Sequence, residues 1–182
     1  MDLAELRRRC VAGETFEYVY FWGHRPPKNG QINQSCLSQW YGAQFEIDGV
    51  TYSTSEHWMM AAKARIFRDP ASLQRILQTT DPQVAKELGR AVKNFVPAIW
   101  EAGCRQIVLD GNLAKFRQHQ KLSECLLGTG DRILVEASPL DRIWGIGLAA
   151  TDDRAKHPST WEGENLLGFA LMDVRQMLAE SP

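Results

Sequence analysis

Apolar and polar positions change period several times along the chain, and each change marks an element. Glu17 to Trp22 is a β-prone run, and a polar Gly/Pro/Asn loop follows from Gly23 to Gln34. Ala43 to Ile47 alternates apolar and polar, Asp48-Gly49 interrupts it, and Val50 to Tyr52 resumes it, which predicts a hairpin. From there the spacing is helical. Thr54 or Ser55 caps a helix reaching about Phe67. Asp69-Pro70 and Asp81-Pro82 start two more, with proline in the first turn. A long helix follows Pro97 through Trp100, Cys104, Val108 and Phe116, and a shorter one covers Lys121 to Leu127 and stops at Gly128. Ile133 to Val135 reads as a return strand, and Ile143-Trp144 opens a glycine-containing turn. The last helix runs from about Leu166 to Leu178, with Asn165 as its cap. Few strands, many helices and no βαβ rhythm predict an α+β fold, a helix-rich single domain around a small β-sheet.

Composition narrows the function classes. The 182 residues suit one domain, and 44% apolar with 24% charged residues is ordinary for a globular chain. With 21 basic and 22 acidic residues, the net charge of -1 argues against a protein that coats nucleic acid or an anionic membrane. Arg7-Arg8-Arg9 is the one basic cluster, and at a polar N-terminus it reads as solvated. No window approaches a membrane span, and charges stand where a signal peptide needs an apolar core, so the expectation is cytoplasmic. The four cysteines, Cys10, Cys36, Cys104 and Cys125, are scattered, without metal-ligand spacing. They read as reduced thiols, with no metal and no cofactor expected.

Three segments could carry chemistry. In Thr54 to Lys63, Glu56 and Lys63 point in nearly the same helical direction, among Met59, Met60, Ile66 and Phe67, while His57, Arg65 and Arg68 take the opposite face. Two readings stand: a dipole-favoured Glu with a snorkelling Lys, or a functional pair on a buried stripe. In Pro139 to Gly147, Asp141 precedes Trp144 and a glycine turn, where it either caps the turn or presents a carboxylate beside an apolar wall. Gly145-x-Gly147-x-x-Ala150 matches a dinucleotide fingerprint in letters only, because the polar stretch Thr151 to Pro158 cannot continue the helix that fingerprint requires. In Trp161 to Gly168, Asn165 stands at a helix start, either as a plain N-cap or facing a phosphate or ribose hydroxyl. Trp22, Trp40 and Trp100 read as core positions, although six tryptophans leave room for one or two to stack a base.

Taken in order, Phe21-Trp22-Gly23, Phe45-x-Ile47-Asp48-Gly49, Thr54 to His57 through Lys63, Gly89-Arg90, Trp100-Glu101, Ala114-Lys115-Phe116, Asp141 through Trp144-Gly145, and Gly163-x-Asn165-x-Leu167-Gly168 resemble the NADAR family of YbiA-like N-glycosidases. The resemblance covers Tyr18 to Leu178, which divides the chain into a 1–15 N-terminal extension and a 16–180 family domain. One departure stands at Ser38-Gln39-Trp40, where the family commonly has Ser-Asn-Phe.

The resemblance implies hydrolysis of the bond between ribose C1 and an amino nitrogen. The implied substrate is ADP-ribosylated guanine in nucleic acid, with a phosphorylated ribosylamino-pyrimidine of riboflavin synthesis as the alternative. Lys63 is then the imine-forming nucleophile, and Glu56 and Asp141 the acid/base pair. Trp22, Gly23, Trp100, Trp144, Gly145 and Asn165 line the substrate. A two-carboxylate path would leave Lys63 merely holding Glu56. An ADP-ribose reader would need the pocket but no catalytic groups. An ADP-ribosyltransferase toxin is the implied partner activity, and the oligomeric state stays open.

Overall fold

The computed structural model describes residues 1–180. In chain order these form α1 (Leu3–Val11), β1 (Tyr18–Phe21), β2 (Phe45–Ile47), β3 (Val50–Tyr52), α2 (Ser55–Ile66), α3 (Pro70–Gln78), α4 (Pro82–Arg90), α5 (Pro97–Gln118), α6 (Gln120–Leu127), β4 (Ile133–Glu136) and α7 (Leu166–Glu180). The class is helix-rich α+β as expected, with the strands in two two-stranded sheets. The chain divides into two units, one of Met1–Ser38 with the chain from Glu124 onward, the other of Gln39–Ser123.

In the first unit β1 and β4 pair in parallel, with Tyr18 opposite Ile133 and Phe21 opposite Glu136. Ile133, Leu134 and Val135 are all buried, as a strand covered on both faces requires. Helix α7 packs on β4. The N-terminal residues that read as polar and solvated form α1, capped by the Asp2 carboxylate, which accepts from Glu5 N at 2.8 Å. Leu3 and Leu6 enter the same core as Ile133, Val135, Ile146 and Phe169. Arg7 is correspondingly half-buried, and its guanidinium donates to the carbonyls of Pro158 (2.9 Å) and Trp161 (3.1 Å).

In the second unit β2 and β3 make the expected hairpin, Phe45 opposite Tyr52. Both turn residues have positive φ, Asp48 at 52° and Gly49 at 75°, the backbone that Asp-Gly tolerates. Asp69 and Asp81 accept from Ser72 N (3.1 Å) and Gln83 N (2.8 Å), starting α3 and α4 as the sequence predicts. Helix α2 differs from expectation. It packs against α3, α4 and α5, so it is buried on nearly all sides and has no wholly polar face. His57, expected opposite the apolar stripe, is 1% exposed, whereas Arg65 and Arg68 do face outward. A Cβ at Gly89 would overlap the Met60 side chain, and one at Gly111 would overlap the Trp58 ring. These two glycines let α4 and α5 close on α2.

Candidate active site

The first turn of α2 is a buried polar cluster. Thr54 caps it, its hydroxyl 2.8 Å from His57 Nδ1. Burial holds His57 below the ordinary imidazole value; the Thr79 backbone and the Asp81 charge pull it part of the way back. His57 Nε2 is buried and within hydrogen-bond geometry of nothing among the described residues. Glu56 is 6% exposed, and its backbone N–H donates to Gln39 O at 3.0 Å. Gln39, the residue that departs from the family pattern, is buried, and neither end of its side-chain amide finds a partner among the described residues.

Two turns further along α2, about 11 Å of axial rise from Glu56, stands Lys63. Its Nζ lies 4.1 Å from the centroid of the Phe95 ring and 5.5 Å from that of Trp100. Phe95 is itself braced edge-on by Phe67 at 5.2 Å. Aromatic faces attract an ammonium while they strip its water. The loss of water dominates: burial holds the Lys63 amine below the ordinary lysine value, and the Arg90 cation pushes the same way. Among the described residues no carboxylate pairs with Lys63, so Glu56 is not its counter-ion.

The sequence analysis did not single out Phe95, which walls Lys63, and it quoted Lys115 only within a family motif. Lys115 on α5 is fully buried, with Nζ 5.1 Å from the Phe116 ring centroid and 5.7 Å from that of Tyr41. Its signal was present: Val108, Asn112 and Lys115 recur at helical spacing, and all three are buried.

In the first unit the glycine turn and the start of α7 form a backbone knot around the end of β4. Asp141 Oδ1 accepts from Ile143 N (2.9 Å) and Trp144 N (2.8 Å), so this carboxylate does cap a turn. The side chain is half-buried, and Oδ2 accepts nothing among the described residues. Ile146 N donates to Glu136 O at 2.9 Å, and Asn165 N to Gly145 O at 3.1 Å. A Cβ at Gly145 would stand 2.8 Å from Glu136 O and 3.0 Å from Asp141 O. One at Gly163 would overlap Gly145 O, and one at Gly168 would overlap Leu134 O. These glycines serve backbone-to-backbone packing.

Asn165 is fully buried, with φ +55°. Its Oδ1 accepts from Glu136 N at 2.9 Å and its Nδ2 donates to Leu134 O at 2.8 Å. Its carbonyl starts the α7 ladder, accepting from Phe169 N, but its side chain is committed to β4. The geometry thus commits the Asn165 side chain to the backbone of β4 and Gly145 to a close backbone crossing. Trp144 is half-buried, while Trp22, expected in a core, is 61% exposed just beyond β1 and precedes exposed Gly23 at φ +80°.

A cavity of about 630 Å³ in the first unit, lined by Arg9, Phe16, Arg132 and Met172 among others, contains none of the expected site residues. Among the described residues no three His, Cys, Asp or Glu side chains converge as a metal site, and no helix is long and apolar enough to cross a membrane.

Comparison with known proteins identifies the family. The chain is 40% identical over 168 residues to the N-glycosidase R617 of Acanthamoeba polyphaga mimivirus, covering 90% of this chain and 97% of that protein. It is 34% identical over 134 residues to the N-glycosidase YbiA of Escherichia coli strain K12, covering 74% and 75% respectively. The NMR structure of E. coli YbiA superposes with a TM-score of 0.72 at 28% identity, over 92% of this chain and 88% of that one. The NADAR domain model matches residues 20–179, and the chain belongs to that family.

Proposed function

We propose that the chain is an N-glycosidase that hydrolyses the bond between ribose C1 and an amino nitrogen, by way of an imine on Lys63. Relatives named N-glycosidases support the bond class. The observation that carries the mechanism is the Lys63 amine, walled by Phe95 and Trp100, unpaired with any carboxylate among the described residues and lowered in pKa. An ordinary lysine with a pKa of ~10.4 is only about 0.04% neutral at pH 7, so depression is what makes the amine a usable nucleophile.

The glycosylamine opens to an imine, and the Lys63 amine adds to C1. The aglycone amine takes a proton and leaves, and C1 remains as an imine on Lys63. Water adds to C1, and the sugar departs as an aldehyde while Lys63 recovers its amine. Glu56 and Asp141 are the candidate proton carriers. Asp141→Asn tests this cleanly, since the amide oxygen keeps both turn hydrogen bonds while the acid is lost. Turnover should fall roughly 100-fold or more, with folding intact.

The substrate we assign is guanine carrying ADP-ribose on its amino group, in nucleic acid; a nucleic-acid ADP-ribosyltransferase would supply it. The aromatic surface of Trp100, beside the Lys63 amine, suits purine stacking. A phosphorylated ribosylamino-pyrimidine has the same scissile bond, and kcat/KM on the two decides between them. Borohydride added during turnover should leave the sugar fragment on the Lys63 peptide as a mass shift, and Lys63→Arg should lose both trapping and hydrolysis. Robust hydrolysis by Lys63→Arg would leave the two-carboxylate path in its place, and binding without turnover would leave a reader.

A further inference from the structure

The reaction just described gives no task to the loop that follows β1. Phe21 ends that strand, and its carbonyl accepts from Ala137 N at 2.9 Å. Trp22 therefore stands one residue past an anchored backbone, 61% exposed and in ring contact with nothing among the described residues. Further on, Pro26 and Pro27 have their φ fixed, and Gly30 N donates to Pro27 O at 3.0 Å, closing a turn with Lys28 and Asn29 at its tip. Asn29 Oδ1 accepts from Gln31 N at 3.1 Å, and its Nδ2 donates to Gln31 Oε1 at 3.0 Å, so the loop braces itself. Arg25 and Lys28 are exposed and have no carboxylate partner among the described residues. The chain has 22 acidic residues, yet none stands between Glu17 and Glu46. An exposed indole alone is ordinary, as are two surface cations. Together, on a self-braced loop that holds no negative charge, they match a ligand that alternates flat rings with anions.

We infer that the 22–34 loop docks the single strand flanking the reacting guanine, with a neighbouring base stacked on Trp22 and backbone phosphates met by Arg25 and Lys28. This role rests on the nucleic-acid substrate proposed above. The strand pairing puts the loop at a useful place. Because β1 and β4 run parallel, the chain leaves both strands at the same end of the sheet. On the β4 side it passes from Ala137 to Asp141, the candidate proton carrier, between Leu140 and Ile143, which are 91% and 60% exposed. A net charge of -1 opposes general coating of nucleic acid, so the docking is local and engages few phosphates. A duplex keeps its bases stacked on one another, so Trp22 acts only on a single strand.

The test titrates the full chain into a short, unmodified, fluorescein-labelled DNA single strand and reads anisotropy at several salt concentrations. Trp22→Ala should weaken binding roughly 5- to 100-fold, the scale of one base stacked on an aromatic ring, and leave the salt slope unchanged. Trp22→Phe should restore most of that loss. Arg25→Gln with Lys28→Gln should lower the slope of log K against log salt by about 1.4, two phosphates at ~0.7 each. Arg117→Gln, at the exposed end of α5, should behave as wild type. On a duplex of the same sequence Trp22→Ala should cost nothing. A wild type that does not bind the strand, equal losses on strand and duplex, or a slope lowered as much by Arg117→Gln overturns the inference. Binding to phosphatidylserine vesicles in place of the strand also overturns it and assigns the loop to a lipid surface. Borohydride trapping with ADP-ribosylated guanosine, run alongside, separates the two readings. Trapping without strand binding sinks the docking loop alone, and strand binding without trapping sinks the imine reaction and leaves the loop.

Discussion

Asn165→Ala separates a strand clamp from a ligand contact. The substitution removes the acceptor for Glu136 N at 2.9 Å and the donor to Leu134 O at 2.8 Å, at a side chain that is fully buried. Each backbone group left unpaired costs about 1–3 kcal/mol. Alanine also tolerates the left-handed backbone less well than asparagine, at about 1 kcal/mol. The expected loss is therefore about 3–7 kcal/mol, a large share of the 5–15 kcal/mol that usually separates folded from unfolded states. The assay is urea unfolding followed by tryptophan fluorescence, read as a shift in midpoint at constant slope. Asn165→Asp sharpens it. The introduced carboxylate keeps the acceptor for Glu136 N but turns a second acceptor toward Leu134 O, where only the protonated form can donate. Its folded pKa is then raised above its unfolded value, so the deficit against wild type should be large at neutral pH and shrink as pH falls. A loss under about 1 kcal/mol for Asn165→Ala, with KM raised, would refute the clamp and return this residue to the substrate.

Three further outcomes follow from the electrostatics. If the neutral Lys63 amine attacks C1, kcat/KM should rise with pH to a midpoint below the ordinary 10.5, and Arg90→Gln should move that midpoint upward; an unshifted midpoint contradicts the environment described. Hydrogen bonds from Lys93 N and from Ser72 hold the Asp69 carboxyl at about 2, against an ordinary 3.8. Its contribution to stability is present above the ordinary value and is lost as pH falls through about 2, so acid titrations of wild type and Asp69→Asn should converge over that window. The Cys125 thiol is pushed down to about 7 by a hydrogen bond with Cys36, while burial pushes Cys104 up. Iodoacetamide at neutral pH should modify Cys125 before Cys104, and Cys36→Ala should slow it, as peptide mapping would show.

Where the determinants are local, the elements were legible from the chain. Asp48-Gly49 makes its own hairpin because both residues tolerate positive φ. Asp69-Pro70 and Asp81-Pro82 start helices because the carboxylate reaches an amide two or three residues on. The helix that carries Glu56 and Lys63 was visible for the same reason, as was the ordered set of motifs that marks the family. Helix α1 escaped notice because its apolar side is only Leu3 and Leu6, too little to signal against the arginines.

What each side chain faces was decided by elements distant in sequence. Parallel pairing of β1 with β4 joins residues more than a hundred positions apart, and no periodicity encodes that partner. Burial of His57 follows from three helices closing on α2. The spacing of Asn165 and of Gly145, Gly163 and Gly168 suits either a ligand or a tight backbone crossing, and only the carbonyls of Leu134, Glu136 and Gly145 reveal the crossing. Residue type and spacing made Lys63 a candidate. Its aromatic walls and its neighbouring cation came from Phe95, Trp100 and Arg90, because the pKa of an amine depends on the water and charge around it, and these are set by tertiary contacts.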